Sequence, residues 1–372
     1  MVRHHSLLSF LSIATVLLMG QAQARADAPA TQPADTFPQP IIELHGTAAE
    51  MGAQHAKQLA DTILLLHEKY LKVFIGSPTK RFLALGAARA FAQKFLPEHL
   101  AEVTGMAEQV HIDVDDAVLA QCFLDLMPMA ACSTITLPAD AAPDHIARFG
   151  RNLDFPSLNL ADKHTVIFIV RPSDGRYGFA AVGWPGMIGV LSGMNEHGLA
   201  LANMEVDRPA LFPVAMPYIL LYRTVLEKCK TVDEAIALLE KTPRQTPNNL
   251  MLMDADGHRA VVEIKPSGIA VRRAKEGSSL ISTNHQRGAD FDTAGQCDRY
   301  DYLHDASRAE FGKIDEKELQ RMLSLASQGN FTLQSMVFEP ANRVIYLSAG
   351  KNAARGTFHR LNLRPYFDTT RH

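Results

Sequence analysis

The sequence predicts an α+β fold in which a mostly helical N-terminal stretch precedes a long series of short antiparallel strands. Three observations predict it. Apolar residues recur at helical spacing as far as about residue 127. From Cys132 the pattern changes to short β-rich runs punctuated by Gly, Pro and Asp-Gly. Helical periodicity then returns in only two places, about 216–242 and 298–328. Helices segregated in sequence from strands suggest stacked α and β layers rather than a doubly wound parallel sheet.

Taken in order, "MVRHHSLLSFLSIATVLLMGQAQARADA" has a basic start at Arg3, an apolar core and small residues at Ala22, Ala24 and Ala26. That order predicts a secretory signal peptide over 1–26 and an exported, periplasmic or secreted product. Its apolar core, Leu7 to Met19, is about 13 residues where a membrane span needs roughly 20, so no integral span is expected. A Pro- and Ala-rich leader follows over 27–40. Next come a short strand, a turn at Gly46 and a helix, with Thr47 and Glu50 forming a capping-box pattern. Further helices are expected at 79–95, 97–111 (entered through Pro97) and 113–127 (capped by Asp113).

In the second half, "HTVIFIVRP", "YGFAAVGWP", "MIGVLSGMN", "LALANMEV", "NLMLMDADG", "AVVEIKP" and "IAVRRA" read as strands. "SMVFEPANRVIYLSAG" reads as a hairpin turning at Pro340–Arg343.

Composition narrows the function. With 47% hydrophobic and 21% charged residues and a formal charge of −3, the chain is globular and lacks the basic footprint of a nucleic-acid binder. Four cysteines, Cys122, Cys132, Cys229 and Cys297, show no CxxC spacing, and the fifteen histidines show no HExxH, so neither a metal nor another cofactor is expected. In an oxidising compartment Cys229–Cys297 is a candidate bridge if Cys132 is kept for chemistry.

Cys132 stands where the helical half gives way to the sheet half. A nucleophilic cysteine needs its thiolate, hence a nearby cation or base. Arg151 and Asp154, on the next strand-like run, supply a cation and a carboxylate. At i and i+3 on a regular strand they face opposite sides, so a turn or bulge is expected to aim both inward.

Here the sequence resembles the N-terminal-nucleophile (Ntn) hydrolases of the choloylglycine hydrolase, acid ceramidase and isopenicillin N acyltransferase group. Cys132 followed by Gly150-Arg151-Asn152-Leu153-Asp154 is similar to their Cys…Gly-Arg-Asn-Leu-Asp pattern. "SGMNEHGLALA" with Asn195, "STNHQ" with Asn284 and "CDRYDYL" with Arg299 follow in the family's order, and "ELHGTAAEMGAQHAKQL" resembles the acyltransferase branch. The resemblance implies a four-layer αββα sandwich of two antiparallel sheets between helical layers. It implies autoproteolysis before Cys132, giving a helical chain 27–131 packed on a catalytic chain 132–372. Its substrate would be a small linear N-acyl amide, cleaved or acyl-transferred through a Cys132 thioester.

In that scheme the freed α-amine, with an unperturbed pKa of roughly 7.7–8.0, is the base for its own thiol. Asp154 holds the amine, Arg151 favours the thiolate, the backbone N–H of Asn195 and the side chain of Asn284 form the oxyanion hole, and Arg299 supports the group. Trp184, the "MPM" at 127–129, Phe212, Pro213 and Met216 are candidates for an apolar acyl pocket. Ala131 stands where the fungal acyltransferase has Gly. Two other readings are a non-catalytic acyl-amide-binding protein on the same fold and a papain-like protease using Cys132 and His285.

Overall fold

The computed structural model describes residues 37–127, 131–207, 213–288 and 295–368. The expected signal peptide lies outside the described residues, as do Met129 and Phe212. Strand β1 (Ile41–Gly46) turns at Gly46, whose φ of +104° suits a residue without Cβ. Helix α1 (Ala48–Leu66) starts at Thr47, whose side chain accepts from Glu50 N–H while the Glu50 carboxylate accepts from Thr47 N–H: the expected capping box. A π-helical turn, His67–Leu71, and a short α2 (Lys72–Ile75) lead to α3 (Pro78–Ala92), α4 (Pro97–Val110) and α5 (Val114–Leu126). The Asp113 side chain caps α5 as expected, and α3 ends three residues before its predicted limit of 95.

Helices α1 and α4 cross closely because glycines meet backbone there. A Cβ on Gly52 would lie 2.0 Å from the Glu102 carbonyl oxygen, and one on Gly105 would lie 2.4 Å from that of Ala49.

The rest of the chain supplies β2 (Ala131–Leu137), β3 (Arg148–Asp154), β4 (Val166–Pro172), β5 (Phe179–Gly183), β6 (Ser192–Asn195) and β7 (Ala200–Glu205). After α6 (Tyr218–Lys228) and α7 (Val232–Lys241) come β8 (Asn248–Met253), β9 (Arg259–Lys265), β10 (Gly268–Arg273) and β11 (Leu280–Ser282). Then follow α8 (Asp298–Ala309), α9 (Glu316–Leu325), β12 (Thr332–Glu339), β13 (Val344–Ala349) and β14 (His359–Asn362). The β12–β13 hairpin turns at Pro340–Asn342, with Arg343 at φ +57°.

These strands form an eight-stranded sheet, β1-β4-β5-β6-β7-β8-β9-β10, and a six-stranded sheet, β11-β2-β3-β12-β13-β14. Pairing is antiparallel throughout the described residues except between β1 and β4. The two sheets face each other: Thr134 Oγ1 lies 3.4 Å from Met204 Sδ, and Thr136 Oγ1 lies 3.9 Å from Met251 Sδ. On the outer side of the small sheet, Ile135, Leu137 and Val337 pack on Leu303, Leu319, Met322 and Leu323 of α8 and α9. On the outer side of the large sheet lie α1 and α4–α7, within one continuous apolar core. Each such fully buried aliphatic side chain stabilises the layers by about 1.5–3 kcal/mol. The result is the expected α+β sandwich, with two antiparallel-rich sheets between helices.

One expectation fails. Cys229 and Cys297 are not bridged; all four cysteines are free, buried thiols. Cys229 closes α6 over the large sheet, whereas Cys297 precedes α8 over the small one and its Sγ lies 3.5 Å from Thr283 Oγ1. The outer layers that carry them lie on opposite sides of the sandwich.

Candidate active site

Cys132 occupies the second position of β2, paired with Leu153 of β3, and is fully buried. Its amide N–H donates to Asn284 Oδ1 at 2.9 Å, and its carbonyl oxygen accepts from Arg299 Nη1 at 2.5 Å. Arg299, just inside α8, also donates through Nη2 to Asn284 Oδ1 at 3.0 Å and places Nη1 3.5 Å from Asp154 Oδ2. One planar guanidinium therefore ties together three of the residues expected at the site.

Arg151 and Asp154 reach Cys132 without the expected inward-turning bulge, because β3 pairs with β2 in unbroken register from 148 to 154. They lie on opposite faces. Arg151 points between the sheets, where Nη1 donates to the Asn203 carbonyl of β7 at 2.7 Å. Asp154 points to the α9 side and accepts from Thr332 Oγ1 (2.5 Å) and Gln328 Nε2 (3.0 Å). A residue near the start of a strand can be approached from both faces. Here the sulfur side meets Arg151, and the main-chain side meets Arg299 and Asp154. The irregularity lies on the other neighbour, where β12 shifts register between Thr332 and Gln334 beside Asp154.

Burial pushes the Cys132 thiol above its ordinary pKa; Arg151 opposes that shift, while Asp154 and Glu205 add to it. Burial also raises the Asp154 carboxyl, against the hydrogen bonds from Thr332 and Gln328 and the charge of Arg299. Beyond the Asn203 carbonyl, the Arg151 guanidinium turns toward the Cys132 sulfur, whose ionised form it favours by charge and by a hydrogen bond.

Asn195 is not part of this group. It ends β6, and its Nδ2 donates to the carbonyls of Leu226 and Cys229, while its Oδ1 accepts from the N–H groups of His197 and Leu199. The side chain is consumed by the β6–β7 turn and its tie to α6, at the end of β7 remote from Asn203 and Glu205. The Asn195 backbone N–H, the group expected in the oxyanion hole, donates to the Leu199 carbonyl at 3.0 Å, so the expected oxyanion role of Asn195 is corrected. The asparagine on the same hairpin that does abut the site is Asn203, buried with Oδ1 unpartnered. His285, the base of the papain-like reading, keeps Nδ1 buried without a hydrogen-bond partner rather than bonded to the Cys132 sulfur.

An apolar pocket of about 100 Å³ has walls that include Ile63, Tyr70, Phe123, Phe155, Trp184 and Ile219. Phe155 directly follows Asp154, and its ring lies 5.4 Å from that of Trp184 and 6.2 Å from that of Tyr70. Of the candidate pocket residues, Trp184 lines this cavity.

Among the described residues, Asp254, Asp256 and His258 bring possible metal-ligating atoms within 4.8 Å of one another. Asp254 already accepts from the N–H groups of Val232, Asp256 and His258, so the grouping is the β8–β9 turn.

Residues 142–354, more than half the chain, match the acyl-coenzyme A:6-aminopenicillanic acid acyl-transferase family. The chain belongs to that family. Membership places this acyl-transferase family protein in the Ntn hydrolase group. Among curated relatives it is similar to an uncharacterized protein of Archaeoglobus fulgidus (24% identical over 270 residues, 62% of this chain and 44% of that protein). It is also similar to protein dcd1A of Dictyostelium discoideum (23% over 227 residues, 53% and 51%). The chain spans about half the length of the curated relatives it matches.

Solved structures similar to it include a Caenorhabditis elegans ortholog of N-acylethanolamine-hydrolyzing acid amidase (19% identity, 56% of this chain, 93% of that chain, TM-score 0.46). Others are a mutant conjugated bile acid hydrolase from Clostridium perfringens (16%, 63%, 93%, 0.45) and penicillin V acylase from Agrobacterium tumefaciens (17%, 59%, 82%, 0.41).

The family match begins downstream of Cys132, so the place of Cys132 in this acyl-transferase family site rests on geometry. Sequence reasoning also missed Gln328 and Thr332, which hold Asp154, and Glu205, whose carbonyl accepts from Asn284 Nδ2 at 2.6 Å. A polar residue inside the apolar run "LALANMEV" was the available signal for Asn203 and Glu205.

Proposed function

We propose that this family member is a cysteine Ntn enzyme that cleaves, or transfers the acyl group of, linear N-acyl amides through a thioester on Cys132. The observation that carries the reading is the convergence of Asn284, Arg299, Asp154 and Arg151 on the main chain and sulfur of one buried cysteine.

In the intact chain Cys132 has no amine; Cys132 N is an amide donating to Asn284. Attack of the sulfur on the Ala131 carbonyl would transfer that acyl group from nitrogen to sulfur and free the amine, and water would then cleave the thioester, releasing the Cys132 thiol and a carboxylate on Ala131. The amine then takes the thiol proton as the sulfur attacks a substrate amide carbonyl. It returns that proton to the leaving amine, and water or a second amine takes the acyl group from sulfur. Each donor to the developing oxyanion contributes about 3–4 kcal/mol. Asn284, already held beside Cys132, fits that role through the second Nδ2 hydrogen, the first being held by the Glu205 carbonyl. The apolar cavity supports a hydrophobic acyl group. We also propose that the precursor is exported and that chain 27–131 stays packed on chain 132–372 after cleavage.

The test is direct. Purified wild type should run as two chains on a denaturing gel, the larger beginning Cys-Ser-Thr, and should hydrolyse N-octanoyl 4-nitroaniline. Cys132→Ala should do neither. An active Cys132→Ala enzyme would move the nucleophile elsewhere. A folded, single-chain wild type that binds the amide without turnover would favour the binding-protein reading.

A further inference from the structure

The mechanism leaves one buried acid beside the nucleophile without a role. Glu205, the last residue of β7, is only 7% exposed. Its backbone carbonyl accepts from Asn284 Nδ2 at 2.6 Å, and the same carboxamide accepts from Cys132 N–H, so Glu205 stands two hydrogen bonds from the reacting residue. Its carboxylate accepts from the Tyr218 hydroxyl at 2.8 Å. Tyr218 opens α6, and its backbone N–H donates at 3.3 Å to Asp125, a fully buried residue near the end of α5. Thr246 Oγ1 donates to the other Asp125 oxygen. A polar chain thus runs from the last helix before the proposed cleavage point to the Asn284 carboxamide.

We propose that Glu205 is a positioning residue for the reaction at Cys132, fixing Asn284 through its carbonyl and holding a negative charge, clamped by Tyr218, on the β7 side of the nucleophile. The inference rests on the reading of Cys132 as the nucleophile. A fixed negative charge beside Cys132 disfavours the thiolate and favours an ammonium on the newly freed nitrogen, so both groups hold their protons to higher pH. Burial and Asp154 act on the thiol in the same sense as Glu205, and Arg151 acts against them. The remaining groups facing this point are Arg299 from α8, Asp125 from α5 and, from α6, Tyr218 and the Tyr222 hydroxyl, which is buried without a partner. Of these, Glu205 alone joins a charge to the Asn284 linkage on the β7 side.

The experiment follows alkylation of Cys132 by iodoacetamide as a function of pH, by peptide mass spectrometry, in purified mature enzyme. Wild type is compared with Glu205→Gln and Tyr218→Phe, alongside kcat and KM for N-octanoyl 4-nitroaniline. Removing the charge should lower the midpoint of Cys132 alkylation, and the acid limb of kcat, by about half a pH unit to one unit. KM should stay within about twofold while kcat falls. Tyr218→Phe keeps the charge but removes the hydroxyl hydrogen bond to it, so kcat should fall about threefold or more with a smaller shift of midpoint.

An unmoved midpoint in a folded Glu205→Gln enzyme overturns the proposal. Should that variant fail to fold, an unchanged kcat and pH profile in Tyr218→Phe overturns it instead. Failure of the underlying reading looks different: Cys132→Ala, or fully alkylated wild type, would retain activity.

Discussion

Replacing Glu102 by Gln tests how the segments on either side of the proposed cleavage point are held together. Glu102, on α4, meets Arg223 of α6 through two hydrogen bonds of 2.9 and 2.6 Å, with both side chains 1% exposed. Arg223 also donates to Glu227 at 2.8 Å, and Glu227 accepts from Arg176 at 2.6 Å. Burial alone would raise the Glu227 carboxyl; Arg223, His99 and Arg176 overcome it and hold the carboxyl below its ordinary range. Removing one member of a buried ion pair costs about 3–5 kcal/mol, because the remaining charge stays buried. Gln keeps one acceptor and Glu227 still partners Arg223, so the lower end, about 3 kcal/mol, applies.

With an unfolding entropy of about 2.1 cal/mol/K per residue, a chain of this size should lose roughly 4 °C in Tm. The assay is thermal unfolding followed by circular dichroism, on wild type, Glu102→Gln and the apolar double variant Glu102→Leu/Arg223→Met. The single variant should fall by those few degrees. The double variant should recover part of the loss, since Glu227 keeps Arg176 and no unpaired charge is then left inside. A Glu102→Gln protein melting within 1 °C of wild type would refute the reasoning that this network bears stability.

Other consequences are as concrete. Gly52→Ala would drive a methyl to 2.0 Å from a backbone oxygen of α4, so it should destabilise by about 3 kcal/mol or more, read as a lower denaturant midpoint at unchanged slope. His55 is buried, and burial, aided by the charge of Arg223, lowers its pKa to about 3. The unfolded chain binds a proton near pH 6.5 that the native state refuses. Stability should therefore be lost as pH falls from about 6.5 toward 3, by up to about 1.4 kcal/mol per unit from this residue. His55→Gln, which keeps an acceptor for the Gly186 N–H (3.0 Å from His55 Nε2), should flatten the Tm–pH curve there, and an equally steep curve would exclude His55 as the cause. Arg299→Lys loses the fork that spans the Cys132 carbonyl and Asn284, so processing and turnover should both slow by about 10–100-fold in gel-based cleavage and amide-hydrolysis assays.

Much of the fold was legible because its signals are local. Thr47, Gly46, Pro97, Asp113 and the Pro340–Arg343 turn act within a few residues of themselves, and each appears where expected. The short strands β11 and β14 were not foreseen, since three or four residues carry too little periodicity to stand out. In the site, Cys132, Arg151, Asp154, Asn284 and Arg299 do meet. Asn195 failed for a physical reason. An asparagine beside Glu-His-Gly satisfies a turn with its own side chain, and the motif alone does not reveal that its carboxamide is fully engaged there. The turn or bulge expected at Arg151 and Asp154 failed differently: strand parity was read correctly, but a residue near a strand start can be reached from either face. The Cys229–Cys297 pairing needed knowledge of which layer each thiol joins, and spacing carries none.

Strand β1 has a consequence beyond architecture. It lies at the margin of the large sheet, zipped to β4 over six residue pairs from Ile41↔Ile167 to Gly46↔Pro172. A molecule trimmed of its first fifty residues would bare the N–H and C=O groups of β4, an apolar strand ready to accept a neighbour's backbone. The N-terminal segment is thus a guard against fibrous self-association, and degradation from that end should yield precipitate before it yields a smaller soluble protein.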